Sequence, residues 1–186
     1  TNGSYGLNIN SQYRKNYRYS GNLSVRYENL INGEKGLPNY SKSTVYNIRW
    51  SHSKDSKSSP YSSFSASVNF GSSDYFRQSV NQLNTANFLN NNLSSSISYS
   101  KSFPGNSGIR LSLNANMSQN TQSKSVNLTL PTLTISSKRF YPFERKGKSK
   151  KGVIQNINIQ YSSKGENRAT FADDLLLKKG MFDNAK

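Results

Sequence analysis

Apolar and polar residues alternate one by one through most of this chain. The clearest run is S-V-N-L-T-L-P-T-L-T-I-S (125–136), where Val126, Leu128 and Leu130 alternate with Ser125, Asn127 and Thr129. After Pro131 the alternation resumes with Leu133 and Ile135 between Thr132, Thr134 and Ser136. A period of two is an extended strand with one apolar face and one polar face. The polar face here is Ser, Thr, Asn and Gln, almost without charge, which suits a strand with lipid on one side and a water-filled lumen on the other. Pro131 removes a ladder donor and marks either a bulge or a strand end.

The same period recurs along the chain. A first strand from about Ser4 to Tyr13 sets Tyr5, Leu7, Ile9 and Tyr13 against Asn8, Asn10 and Gln12. A second, from Tyr17 to about Tyr27, has Tyr17, Tyr19, Leu23, Val25 and Tyr27 outward and Arg18, Asn22, Ser24 and Arg26 facing the other way. Tyrosines at both ends of an apolar centre suit aromatic girdles at lipid headgroup level. Further strands are expected near Thr44 to His52, Tyr61 to Phe70, Leu93 to Phe103 and Ile109 to Ser118. The eighth ends in G-V-I-Q-N-I-N-I-Q-Y, where Ile157, Ile159 and Tyr161 alternate with Asn156, Asn158 and Gln160. Glu28 to Ser43 and Gly71 to Asn92 read as long loops, the first with the turn formers Asn32-Gly33, Gly36 and Pro38. Connections alternate short and long, as in an outer-membrane barrel, except at Gln119 to Lys124 and at Lys138 to Gly152. The expectation is an all-β fold, an antiparallel transmembrane β-barrel segment of about eight strands from a larger barrel. Residues 1–163 hold the strands, and residues 164–186 form a loop, with a short apolar Leu175-Leu176-Leu177, leading to a further strand.

Composition sharpens this picture. Only 32% of the 186 residues are hydrophobic, and the mean hydropathy is -0.80. Such a chain is thin for a closed soluble core but sufficient to coat one side of a sheet. Aromatics at 12%, patterned with the Leu, Ile and Val, argue against disorder. No run of about 20 apolar residues is present, which excludes a membrane-spanning helix but not a spanning barrel. The chain opens on T-N-G-S-Y-G-L and closes on N-A-K, and it reads as a piece of a longer protein. Cysteine is absent, so disulfide, zinc-cluster and thiol chemistry are excluded. The net charge of +16 points to polyanionic partners. A soluble polyanion binder would interleave aromatics with Lys and Arg on one face; here the aromatics share their face with aliphatics and the lysines cluster in loops. Nucleic acid is therefore not expected as a partner.

Several stretches resemble the LptD-like lipopolysaccharide-assembly proteins of Bacteroidetes-type bacteria. They are G-E-K-G-L-P-N-Y-S-K-S (33–43), N-I-R-W-S-H-S (47–53), S-S-F-S-A-S-V-N-F-G-S-S (62–73) and S-S-S-I-S-Y-S-K-S-F (94–103). S-Q-N-T-Q-S-K-S-V-N-L-T-L-P-T-L (118–133) and R-F-Y-P-F-E-R-K (139–146) join them in collinear order. The resemblance implies a large barrel of the cell outer membrane that inserts lipopolysaccharide into the outer leaflet. It also implies two protein partners, a plug lipoprotein (LptE-like) inside the barrel and a periplasmic bridge that delivers the lipid. Period and loops alone fit a porin or nutrient receptor equally, and the resemblance separates them.

Two sets of cations are candidate contact residues. Arg18, Arg26, Arg49 and Arg110 fall on the polar face, where the guanidinium fork suits phosphates along a lumenal substrate path, or where the charges simply stay solvated or neutralised as in porin-like lumens. Lys138, Arg139, Arg145 and Lys146, followed by Lys148, Lys150 and Lys151, form a basic linker that suits anionic headgroups of outer-membrane lipids, or a solvated turn. His52, the sole histidine, ends an apolar face beside Trp50 and reads as interfacial. Asp173 and Asp174 have no His or Cys near them in sequence, and no G-x-S-x-G is present. No catalytic residue, cofactor or metal site is expected, and the chain does not read as an enzyme.

Overall fold

The computed structural model of the protein describes residues 3–78, 92–105, 108–144 and 153–176. Eight strands form one antiparallel sheet in chain order: β1 (Tyr5–Lys15), β2 (Tyr19–Asn32), β3 (Ser41–Lys54), β4 (Ser62–Gly71), β5 (Asn92–Ser102), β6 (Arg110–Asn120), β7 (Ser125–Ser136) and β8 (Ser162–Ala172). Each pairs only with its chain neighbours, so the sheet stays open and has β1 and β8 as edges among the described residues. The one α-helical turn among them is α1 (Tyr75–Gln78). This is the all-β, antiparallel arrangement the period of two implies, and an open arc of this kind fits a segment of a larger barrel.

The registers keep both faces in phase. Ile9 lies opposite Val25, Val25 opposite Ile48 and Ile48 opposite Phe70. Farther along, Ile97 faces Ala115, and Leu113 lies between Tyr99 and Leu133. Directly paired residues share a face, so an apolar stripe crosses the sheet. Much of it is uncovered: Leu7 is 55% and Ile9 47% exposed. A sheet that meets lipid leaves its apolar side chains in this state. Serines dominate the opposite face, as in Ser65↔Ser98 and Ser67↔Ser96.

At Pro131 the alternation slips by one residue, and the register shows how the sheet absorbs it. On β6, two steps separate Asn114 from Asn116, while their β7 partners Thr132 and Thr129 are three steps apart. The β7–β8 ladder shifts over the same Thr129–Thr132 interval. The extra residue is a β-bulge on β7, which returns Leu133 and Ile135 to the apolar face.

Two expectations from the sequence are corrected. The β2–β3 hairpin is longer than its alternation suggests, pairing on from Glu28↔Val45 to Asn32↔Ser41 inside the expected loop. Here Leu30 and Val45 are buried beneath Tyr75 of α1, on the side that is polar elsewhere, which masks the amphipathic signal. The eighth strand is also displaced. Residues 153–161, expected as strand, hold a 3-10 turn (Ile154–Asn156) and a lone bridge from Ile159 to Phe140. The strand is Ser162–Ala172, which from Lys164 onward runs through the expected terminal loop. Its Lys164, Gly165, Glu166 and Arg168 carry no apolar period, and it exists because β7 offers an edge to pair with, from Ser125↔Ala172 to Ser136↔Ser162.

The ends of β1, β3, β5 and β7 that run into residues 16–18, 55–61, 103–105 and 137–144 lie at one end of the sheet, the turn end. The ends of β2, β4 and β6 that run into residues 33–40, 72–78 and 121–124 lie at the other, the loop end. Buried packing concentrates at the loop end. Leu30, Val45, Tyr75 and Leu93 form one cluster; Val126, Ala169, Phe171 and Leu176 form another, with Phe70, Met117, Leu128 and Leu175 against it. Leu177 lies outside the described residues. Between these clusters the β4–β5 ladder stops at Ser67↔Ser96, and side chains replace it. Ser95 Oγ accepts from the Asn69 N–H at 3.0 Å and donates to the Asn69 carbonyl at 3.1 Å. The fully buried Gln119 donates to the Gly71 carbonyl at 2.7 Å and accepts from its N–H at 3.5 Å. Backbone groups away from water must be paired, and these two side chains continue the ladder.

Replacing Gln119 with Leu is expected to cost about 1–3 kcal/mol, because the Gly71 N–H and carbonyl lose a partner; the denaturation midpoint in detergent measures it. Deleting Pro131 makes the β7 alternation continuous and should leave folding intact. Deleting Asn127 instead turns Leu128 and Leu130 to the polar face, at about 1.5–3 kcal/mol per leucine. Heat-modifiable gel mobility of the two deletions compares them directly.

Candidate functional site

The polar face is a sheet-wide surface of small hydroxyl and amide groups tied to one another. Ser63 and Ser100 hydroxyls meet at 2.8 Å, and Thr170 Oγ1 donates to Asn127 Oδ1 at 2.9 Å. Asn47 donates to Asn69 Oδ1 and to the Phe70 carbonyl, both at 3.1 Å. A hollow of about 770 Å³ opens on this face at the turn end, among Gln12, Arg14, Asn22, Ser51, Ser53 and Ser65. On β8 the face becomes charged: Glu166 pairs with Lys164 at 2.7 Å and Arg168 at 2.5 Å.

Of the four arginines expected on this face, the structure brings two together. Arg26 faces Asn47 and Arg49 faces Ser24, which makes them diagonal neighbours, about 7–8 Å apart along the sheet. Arg26 donates to the Tyr75 hydroxyl at 3.3 Å, so α1 lies beside the pair. Arg110 shares the face but begins β6 at the turn end, opposite Ser136. Arg18 is in the 16–18 turn, outside β2, because its N–H closes that turn on the Lys15 carbonyl at 2.9 Å. It lines a hollow with Tyr19, His52 and Phe64 of the other face.

That face carries an aromatic cluster at the turn end. His52 lies within 5.4–5.9 Å, ring centre to ring centre, of Tyr13, Tyr19, Trp50 and Phe64. Trp50 Nε1 donates to the Tyr13 hydroxyl at 2.8 Å, and that hydroxyl meets His52 Nδ1 at 2.8 Å. A chain Trp50→Tyr13→His52 satisfies all three groups with the imidazole proton on Nε2. Gly21 makes it possible. It sits between Tyr13 and His52 in the register, and a Cβ there would collide with the Tyr13 hydroxyl and the Ser51 carbonyl. Sequence marks His52 as interfacial but does not show the box, because its members come from four strands.

The basic linker is placed in part. Lys138 and Arg139 are exposed at the turn end; Arg145, Lys146, Lys148, Lys150 and Lys151 lie outside the described residues. Lys138 and Arg110 line a hollow of about 400 Å³ with Tyr61 and Phe103, and Lys101 Nζ stands 5.0 Å over the Phe103 ring. Charge is therefore unequal between the ends. Among the described residues the turn end gathers Arg14, Lys15, Arg18, Lys54, Lys57, Lys101, Arg110, Lys138 and Arg139 against Asp55 and Glu144. The loop end carries Glu28, Glu34, Asp74, Asp173 and Asp174 against Lys35, Lys42 and Lys124. Asp173 serves as a fastener there, accepting from the Ser73 hydroxyl while its N–H donates to the Lys124 carbonyl at 2.9 Å.

Tyr75 is fully buried, and Tyr75→Ala is expected to cost about 3–5 kcal/mol as an aromatic-to-alanine change. It should free residues 72–78 from the polar face, read as faster proteolysis within 72–78.

The LptD protein family matches the chain over residues 1–186. Neither a curated protein nor a solved structure matches it. Among the described residues no helix is long and apolar enough to cross a membrane, which does not bear on crossing by strands. An open antiparallel sheet, apolar on one face and hydroxyl-lined on the other, is the wall that an outer-membrane transport barrel requires. With that match over its whole length, the chain belongs to the LptD family of outer-membrane proteins of lipopolysaccharide transport.

Proposed function

We propose that this chain is part of an outer-membrane translocon that transports lipopolysaccharide and inserts it into the outer leaflet of the cell outer membrane. The family match over residues 1–186 carries the reading, and the chemistry of the polar face supports it. Lipopolysaccharide presents sugars and phosphates, which need hydrogen-bonding partners once they leave bulk water. Ser, Thr and Asn supply bonds worth about 0.5–1.5 kcal/mol each, strong enough to solvate a passing sugar and weak enough to release it. Arg26 and Arg49, adjacent on β2 and β3, offer the phosphates charge-assisted contacts along this path. Arg110, with Lys138 and Arg139, stands at the turn end, where a delivered lipid's phosphates would first meet cations. In this reading the polar face is lumenal and the turn end periplasmic. A plug lipoprotein of the LptE-like kind sits against the polar face, and a periplasmic bridge protein delivers at the turn end.

The test is the double variant Arg26→Ala/Arg49→Ala in the full-length parent. Charged hydrogen bonds of about 1.5–3 kcal/mol each predict surface delivery of newly made lipopolysaccharide slowed by about tenfold or more. The control Ser65→Ala/Ser98→Ala should slow it less, because the bonds it removes are the weaker, uncharged kind. Unchanged delivery by a double variant that keeps heat-modifiable mobility would exclude the arginine path.

A further inference from the structure

The turn end of the apolar face holds a second hollow, of about 730 Å³, that the transport reading does not use. Tyr17, Arg18, Tyr19, His52, Lys54 and Phe64 line it. Its floor is rigid: His52 is held by Tyr13 at 2.8 Å and stacked on Tyr19 at 5.6 Å. Its rim is cationic. Lys54 Nζ is pinned at 2.6 Å by the Ser62 hydroxyl, and Lys57 Nζ stands 5.6 Å over the Tyr17 ring. The nearby carboxylate, Asp55, is occupied in its own turn, where it accepts from the Lys57 N–H at 2.9 Å.

Tyr17 adds an independent observation. It has φ +60, a left-handed conformation that a bulky residue adopts only at a cost. Gly or Asn would form the turn without that strain. The strained backbone projects a ring, 70% exposed, at the edge of the apolar stripe, where it receives a lysine. Aromatic bodies beside cations, at the boundary of an apolar surface, match a molecule with a phosphate head and hydrocarbon tails.

We propose that this hollow binds the headgroup phosphate of an anionic phospholipid in the leaflet at the turn end. Arg18, Lys54 and Lys57 take the phosphate, and the acyl chains lie on the adjoining stripe of Leu23, Val25, Ile48 and Val68. The proposal rests on the reading that the apolar face meets lipid. It needs neither lipopolysaccharide passage nor the polar face.

The experiment uses the full-length parent in nanodiscs of phosphatidylethanolamine and phosphatidylglycerol, with native mass spectrometry counting the lipids retained on release. The variant Arg18→Gln/Lys54→Gln/Lys57→Gln should lose retained phosphatidylglycerol, by about fivefold per cation and on the order of a hundredfold in all. Phosphatidylethanolamine should be unaffected. If the triple variant does not fold, Lys57→Gln alone, at an exposed position, carries the test with its fivefold loss. Equal retention by variant and parent would overturn the proposal. So would an equal loss in the loop-end control Lys35→Gln/Lys42→Gln/Lys124→Gln, or displacement of the lipid by inorganic phosphate. If the parent itself did not enter nanodiscs, the lipid-facing reading would fall first and this proposal with it.

Discussion

Everything in this sheet depends on the registers of seven consecutive antiparallel ladders. A one-residue slip in any strand would send its leucines and valines to the hydroxyl side and its serines to the apolar side. Where strands lie in lipid, backbone groups have no water to fall back on, so the ladders must also be complete. Both demands are met with local devices. The bulge on β7 absorbs the extra residue at Pro131 and restores the phase. Where β4 and β5 part, Ser95 and Gln119 supply the donors and acceptors that a neighbouring backbone would have offered.

The two ends of the sheet obey different physics. At the loop end, side chains are buried by one another: Tyr75 closes over Leu30 and Val45, and Leu176 returns onto Val126 and Phe171. Burial there provides the packing energy that a sheet with a lipid-facing side otherwise lacks. At the turn end little is buried, and the side chains are aromatic and cationic. Such residues are stable at a boundary because their bodies are apolar and their tips are wet. The charge contrast makes the two ends of the sheet unequal, with the basic rim at the turn end.

The two faces are likewise divided. The hydroxyl and amide face presents many weak, exchangeable hydrogen bonds and few fixed charges in its interior, with Arg26 and Arg49 the neighbouring cations on β2 and β3. A surface of this kind lets a polar molecule slide, whereas dense charge would hold it. On the apolar face the Trp50–Tyr13–His52 chain is internally satisfied.

The sequence by itself determined the features that a period of two dictates. The all-β class, most of the strands, the division of faces and even the irregularity at Pro131 can be read from alternation, because alternation reports directly on which side of a pleat a residue lies. The family is legible in collinear segments such as 62–73 and 118–133. Tertiary structure decided whatever depends on a neighbour. Strand β8 has no apolar period over Lys164, Glu166 and Arg168, and it exists because β7 has an edge to fill. The β2–β3 hairpin runs on past Tyr27 because α1 covers Leu30 and Val45 from the polar side. Arg18 leaves the polar face because a turn closes at its N–H. The box around His52 is drawn from β1, β2, β3 and β4, positions that only the registers make adjacent. A single chain encodes the side each residue takes along its own strand, and the pairing of strands encodes what that residue meets.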